Sequence, residues 1–172
     1  SKLASDAFDS LPYHLHLPYV KAVVEMTSYT FSKKNVNPVA GGTCKQTLLK
    51  LMAHPMEAIR SHTYSTCLDV IKDALGISNI TEPASTAHHK AMFVMQVDIL
   101  YEITCFGMMD EHTEKSASEI VLYLLQSELL LPQSKWQQFL EVLVSVLPFL
   151  QMFSSTETEL GKCILTLLNA EQ

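Results

Sequence analysis

The chain has 172 residues, 48% of them hydrophobic and 17% charged, and this balance excludes an intrinsically disordered segment. Its net charge is −6, and most of the acidic excess lies in the second half. Nucleic acid and anionic membrane surfaces are therefore unfavourable partners, because both need clustered Lys and Arg. The most apolar run, residues 140 to 153, is shorter than the roughly 20 residues of a membrane-spanning helix, so we expect a soluble chain.

Residues 1 to 33 are predicted to contain a helix end, a connector and one amphipathic helix. Residues 1 to 10 are typical of a helix end, residues 11 to 17 form a connector, and Pro18 suits the first position of the next helix. Helical spacing then continues to about Lys33, on a face made of Val20, Val23, Val24, Thr27 and Phe31. The β-branched residues on this face leave a strand as the alternative.

A loop over residues 34 to 42 is indicated by its Asn-Pro and Gly-Gly turn signals. Thr43 with Gln46 fits a capping box at the start of the next helix, in which two side chains satisfy backbone N–H groups. The same spacing precedes three later apolar runs, at Ser116 with Glu119, Ser134 with Gln137, and Thr156 with Glu159. Four such boxes favour a helical fold over a β fold.

Residues 48 to 75 predict two helices that meet at a corner. Pro55 interrupts the first helix, because proline has no N–H to donate and clashes with the preceding turn, and Gly76 ends the second. The positions predicted to be buried are Leu48, Leu49, Leu51, Met52, Tyr64, Cys67, Leu68, Ile71, Ala74 and Leu75. A helix, a proline corner and a longer amphipathic helix are typical of one armadillo or HEAT repeat, whose period is roughly 40 to 47 residues.

The stretch from residue 77 to Lys115 is predicted to be a loop, an apolar helical pair and a polar connector. The loop covers residues 77 to 87, and a break near Gln96-Val97 divides the apolar stretch that ends at Gly107. The predicted core face of that stretch is Ala91, Met92, Val94, Met95, Ile99, Leu100, Ile103 and Phe106. Residues 108 to 115 are polar and acidic.

Three further helices are predicted over residues 116 to 129, 134 to 150 and 157 to 169. The first faces the core through Ala117, Ile120, Val121, Leu124 and Leu125, and the second through Trp136, Phe139, Leu140, Leu143, Val144 and Leu147. We therefore predict an all-α, armadillo/HEAT-like α-solenoid segment of seven or eight helices. It forms one domain over residues 1 to 172, which we expect to be a fragment of a much larger chain.

The residues that carry chemistry predict neither an enzyme nor a cofactor. No phosphate-binding loop, nucleophile elbow or HExxH pattern occurs. The histidine pairs 14/16 and 88/89 lack further ligands at metal spacing. The cysteines favour buried free thiols, because they are widely spaced and form no CxxC pair: Cys44, Cys67, Cys105 and Cys163. Arg60 either pairs with an acidic group or carbonyl of the adjacent layer or is simply exposed.

Three stretches together resemble the rotatin family: LLKLMAHPMEAIRSHTYSTCLDVIKDALGISNIT, ILYEITCFGM and IVLYLLQSELLLPQSKWQQFLEVL. The resemblance runs over nearly the whole chain. It implies an armadillo-like fold, a location at centrioles and ciliary basal bodies in the cytoplasm and cytoskeleton, and a contribution to centriole assembly, cilium assembly and left-right axis specification. It carries no catalytic residues over to this chain, and its implied partners are other centriolar or ciliary proteins. A generic cytosolic adaptor for transport or phosphatase regulation stays the alternative.

A candidate partner surface is formed by the helix positions that lie outside the predicted buried faces. In armadillo repeats the last helix of each layer lines the concave face, and the helices over residues 56 to 75, 116 to 129 and 134 to 150 are predicted to take that place. The exposed positions of the first two supply the candidate surface: Asp69, Lys72, Asp73, Glu119, Leu122, Tyr123 and Gln126. Tyr123 beside Leu122 is the candidate anchor, since aromatic residues within a polar rim are enriched among binding hot spots. Asp69 and Asp73 favour a solvated face over acid–base catalysis.

Overall fold

The computed structural model describes residues 12, 15–30, 38–75, 92–126 and 133–151. All regular structure in these ranges is helical, without a strand, which confirms the all-α prediction for this part of the chain. The described ranges hold six α-helices, not seven or eight, and the predicted helical segments 1–10 and 157–169 lie outside them. We number them α1 (His16–Thr30), α2 (Pro38–Met52), α3 (Glu57–Leu75), α4 (Val97–Tyr101), α5 (Glu114–Gln126) and α6 (Gln133–Gln151).

One hydrophobic core joins all six helices. Helix α3 contacts α1, α2 and α5, while α6 contacts α4 and the segment that follows α4. The largest side chains that are almost completely buried include Tyr64, Phe93 and Phe139. Burying one such side chain stabilises the fold by roughly 1.5–3 kcal/mol. Helix α3 is therefore the centre around which α1, α2 and α5 pack.

The predicted proline corner between α2 and α3 is confirmed. Helix α2 ends at Met52 and α3 begins at Glu57, on either side of Pro55. The predicted face is buried at Leu48, Leu51, Met52, Tyr64, Cys67, Leu68, Ile71 and Ala74, and Leu49 is partly buried. The side chain of Leu75 lies outside the described residues.

Three helices begin earlier than their predicted capping boxes. Helix α2 begins at Pro38, inside the predicted loop, because the fixed φ of proline and its missing N–H suit the first helical position. Thr43 therefore lies within the helix and its carbonyl accepts a hydrogen bond from the Thr47 hydroxyl at 3.1 Å. Helix α5 begins at Glu114, so Ser116 is also an interior position. Both of these capping-box predictions were wrong.

The third predicted box, at Ser134, also lies inside its helix, because α6 begins at Gln133. The fourth, at Thr156, lies outside the described residues.

The exposed and buried faces differ from prediction at several positions. Val144 is 50% exposed, whereas Val142 is buried with Phe139 and Leu143 at the i, i+3, i+4 positions of one face of α6. Phe106, predicted in the core, is 61% exposed. Met108, in the predicted polar connector, is completely buried. The last two differences come from irregular backbone between α4 and α5.

The backbone from residue 92 to residue 109, which includes α4, contains three kinds of helix in 18 residues. Residues 92–95 form a 3₁₀ turn, and extended Gln96 (ψ 134°) precedes α4, so the predicted break at Gln96-Val97 is confirmed. A π-helical segment, Glu102–Phe106, follows, and then a 3₁₀ turn, Gly107–Met109. A π-turn adds one residue to the helical turn and changes the direction of the side chains after it.

Candidate functional site

The structure brings together three residues of the predicted partner surface where α3 contacts α5. The Lys72 Nζ lies 3.8 Å from a carboxylate oxygen of Glu119 and 5.5 Å from the centre of the Tyr123 ring. Asp69 and Asp73 are exposed on the same helix as Lys72. These five residues belong to the set of seven that was predicted from the sequence. We call that set the α3–α5 surface.

The apolar pair of the α3–α5 surface is only partly accessible. Leu122 and Tyr123 are partly buried and pack against the hydrophobic core. Gln126 is the last residue of α5, and its side chain lies outside the described residues. The most accessible side chains of the surface are therefore Asp69 and Asp73 on α3.

A second feature, which the sequence did not predict, is an open cleft of about 620 Å³ beside the proline corner. We call it the corner cleft. It lies between the end of α2, the first half of α3 and the π-helical segment. Its lining residues are Met52, Ala53, Arg60, Tyr64, Glu102, Cys105, Phe106, Gly107, Met109, Asp110 and Thr113.

Arg60 fixes one side of the corner cleft. Its Nε donates to Asp110 Oδ2 at 2.8 Å, and its Nη1 donates to the carbonyls of His54 at 2.9 Å and Pro55 at 3.0 Å. Of the two alternatives for Arg60, the structure supports pairing with an acidic group and with carbonyls. The guanidinium joins the proline corner to the turn before α5 and is already engaged by acceptors.

Tyr64 and Thr113 satisfy carbonyls of the irregular backbone along the cleft. The Tyr64 hydroxyl donates to the Glu102 carbonyl at 3.2 Å, and the Thr113 hydroxyl donates to the Gly107 carbonyl at 2.7 Å. Burial raises the pKa of Tyr64 well above its ordinary value, so the hydroxyl keeps its proton. Because buried carbonyls need donors, these two side chains stabilise the π-helical geometry.

The Glu102 side chain is the unpaired charge of the corner cleft. It is partly buried, and burial raises its pKa. Within the described residues its carboxylate forms neither a hydrogen bond nor an ion pair, while the neighbouring Asp110 is paired with Arg60. A carboxylate removed partly from water without a cation is destabilised relative to a paired one. The cleft therefore favours a cation.

Comparison with known proteins shows similarity to rotatin from two organisms. No protein-family model and no solved structure matches the chain. Human rotatin is 35% identical over 171 residues, which are 98% of this chain and 8% of that protein. Mouse rotatin is 34% identical over 168 residues, 96% of this chain and again 8% of the relative. The chain is rotatin-like.

The similarity confirms the resemblance to rotatin over nearly the whole length of the chain. The rotatin-like chain spans about 8% of the length of the two curated rotatins it matches. Both sites described above lie within the matched length. Within the described residues, no helix combines the length and the apolar character needed to cross a membrane.

Three of the cysteines of the rotatin-like chain, Cys44, Cys67 and Cys105, lie within the described residues. Burial raises the pKa of Cys67 to about 12, and it also raises the pKa of Cys44 and Cys105. A raised pKa favours the protonated thiol, which is a weak nucleophile, so nothing activates Cys105 in the corner cleft. The three are free, as predicted, although only Cys67 is fully buried, and Cys163 lies outside the described residues.

Metal ligation was not predicted from the sequence. In the described ranges, no group of three His, Cys, Asp or Glu side chains is arranged to hold a metal ion. Of the two histidine pairs, only His16 lies within those ranges.

The corner cleft was missed because its signals are weak in sequence. Gly107 ends an apolar helical stretch and reads as a simple helix stop, while Phe106 fits the core period of an α-helix. The π-turn moves Phe106 off that period, and only a tertiary contact with Tyr64 explains the glycine. The only sequence signal near the cleft was Arg60, because a charged residue five positions after Pro55 lies beside the proline corner.

Proposed function

We propose that this rotatin-like chain is a non-enzymatic protein-interaction scaffold in centriole and basal-body assembly, and so in ciliogenesis. The observation that carries the proposal is the similarity to human rotatin, at 35% identity over 98% of the chain. Its location is then the cytoskeleton of the cytoplasm, at the centriole and the basal body. Its partners are other centriolar or ciliary proteins.

We propose further that the helices form armadillo-like layers. The helix, proline corner and longer helix of α2 and α3 support this arrangement, and so does the Arg60 side chain that joins the corner to Asp110. In a solenoid each layer packs on its neighbours and leaves an extended face for partners. Such a face suits a scaffold that holds several proteins in a large assembly.

The α3–α5 surface is the proposed contact for one such partner. Its exposed carboxylates, Asp69 and Asp73, flank a cation that lies over an aromatic ring, at Lys72 and Tyr123. Tyrosine rings with a polar rim are enriched among the residues that dominate binding energy. The packing of the ring against the core restricts its rotation, so less side-chain entropy is lost on binding.

Affinity capture from ciliated cells, followed by identification of the bound proteins, tests the proposal. The bait is the tagged chain, compared with a double variant of the α3–α5 surface, Asp69→Lys with Asp73→Lys. A matched control reverses two exposed carboxylates elsewhere, Glu25→Lys with Glu141→Lys, so that the change in net charge is the same.

Centriolar proteins should be enriched with the parent chain and the control, and lost with the α3–α5 variant. Equal capture of centriolar proteins by all three baits would exclude the α3–α5 surface as the contact site and leave the scaffold function supported. Enrichment of transport or phosphatase subunits without centriolar proteins would favour the generic adaptor instead. Capture of neither class would contradict the scaffold proposal.

A further inference from the structure

The corner cleft has an exposed apolar wall. Phe106 is 61% exposed and Met109 is 38% exposed, and both line the cleft. Phe106 belongs to the π-helical segment, a geometry that often occurs at functional sites. An exposed aromatic ring beside a methionine offers a partner apolar area that adapts to different side chains.

The charges around the corner cleft decide which partner fits that wall. Glu102 has no cation among the described residues, and the guanidinium of Arg60 is engaged by Asp110 and two carbonyls. Further acidic groups lie beside Asp110, where Glu57 and Glu111 approach His112 Nε2 at 2.8 and 3.3 Å. The region therefore attracts positive charge and repels anions.

We propose that the corner cleft binds a basic and apolar peptide segment of a partner protein. A Lys or Arg of that segment pairs with Glu102, and an adjacent apolar side chain packs on Phe106 and Met109. The inference rests on the proposed interaction function and adds to it a second contact site with a stated partner chemistry. A second copy of this chain suits the cleft poorly, because its net charge is −6.

The dimensions of the cleft agree with such a segment. Its volume of about 620 Å³ lies in the range of pockets that bury small ligands, roughly 300–1,000 Å³. That space takes two or three side chains and is too small for a whole helix. The rigid frame around it, held by Arg60, Tyr64 and Thr113, lets the cleft exist before the partner binds, which lowers the entropy lost on binding.

Selection from a random 12-residue peptide display library on the purified chain tests the inference. The most enriched peptide is synthesised with a fluorescent label, and its affinity is measured by anisotropy. Two cleft variants are compared with the parent: Glu102→Gln, which keeps the shape and removes the charge, and Phe106→Ser. Their matched controls are Glu141→Gln and Tyr29→Ser, at exposed positions on other helices. Melting curves verify that all four variants fold.

The inference predicts that enriched peptides carry Lys or Arg beside an apolar residue. Glu102→Gln should weaken binding by about tenfold or more, as loss of a partly desolvated charge pair does, and Phe106→Ser by a similar factor. The controls should match the parent.

Three results would overturn the inference: no enriched peptide, enrichment of acidic peptides, or binding that both cleft variants leave unchanged. The capture experiment above is independent of this selection. Centriolar proteins on the parent chain together with a failed selection would reject the cleft as a docking site and leave the scaffold function intact.

Discussion

At the scale of single residues, Gly107 shows how closely the π-helical segment approaches α3. A Cβ built at this position would lie 2.5 Å from both Cε1 and the hydroxyl oxygen of Tyr64, which is itself buried. Real side chains do not approach that closely, so a larger residue must displace the tyrosine ring. That ring donates the hydrogen bond that supports the Glu102 carbonyl.

Gly107→Ala should therefore lower the free energy of unfolding by about 1–3 kcal/mol, as overpacking does. Gly42→Ala is the control, because Gly42 lies in α2 and a Cβ there meets nothing within 4 Å. Replacing that helical glycine should raise stability by about 0.5–1 kcal/mol. Urea denaturation followed by circular dichroism measures both. Changes of the same sign at the two glycines would contradict the packing described here.

The buried face of α3 gives a second prediction at this scale. Leu68 is 6% exposed, whereas Lys72 is partly exposed beside Glu119. Leu68→Ala should cost about 2–5 kcal/mol of stability, and Lys72→Ala should stay within about 0.5 kcal/mol of the parent. The same denaturation experiment compares them. Similar losses at both sites would mean that the helix is rotated about its axis.

At the scale of elements, periodicity predicted the helical faces well, and local signals predicted their ends less well. The i, i+3, i+4 pattern located the buried face of α3 because packing selects apolar side chains there. The capping boxes at Thr43 and Ser116 were wrong, because the same two residue types three positions apart also occur inside a helix. The π-helical segment was not predictable, because the contact of Tyr64 with Gly107 joins residues far apart in sequence.

The ion pair between α3 and the turn before α5 predicts a pH dependence. Partial burial raises the pKa of Asp110, but the His112 N–H and Arg60 outweigh it and hold that pKa below its ordinary value of 3.8. A folded-state pKa below the unfolded one stabilises the fold above about pH 4, and this stabilisation is lost as the pH falls through the folded-state pKa.

Asp110→Asn should therefore be less stable than the parent at pH 7, by about 1 kcal/mol. The difference should shrink as the pH falls below about 4, because the parent then loses the same charge. Denaturation curves at several pH values between 3 and 7 measure it, with Glu141→Gln as a control on an exposed carboxylate. A difference that stays constant over this range would exclude Asp110 as the titrating group.

At the scale of the whole molecule, composition and period were enough to predict an all-α chain with one core, and residue patterns were enough to indicate rotatin. The corner cleft could not be predicted from composition and period, because it forms where Arg60 of α3 meets Glu102 and Phe106 of the π-helical segment. The α3–α5 surface was predicted as a set of leftover positions, and the structure adds that Lys72, Glu119 and Tyr123 lie together. Sequence therefore defines the helices better than the surfaces between them.

The most direct test of the scaffold function is proximity labelling in ciliated cells, with a biotin ligase fused to the chain and the ligase alone as the control. If the chain is a centriolar scaffold, biotin should concentrate at centrioles and basal bodies, and the labelled proteins should be enriched in centriolar components over the control. Labelling that is as diffuse as that of the ligase alone, with no centriolar enrichment, would contradict the account.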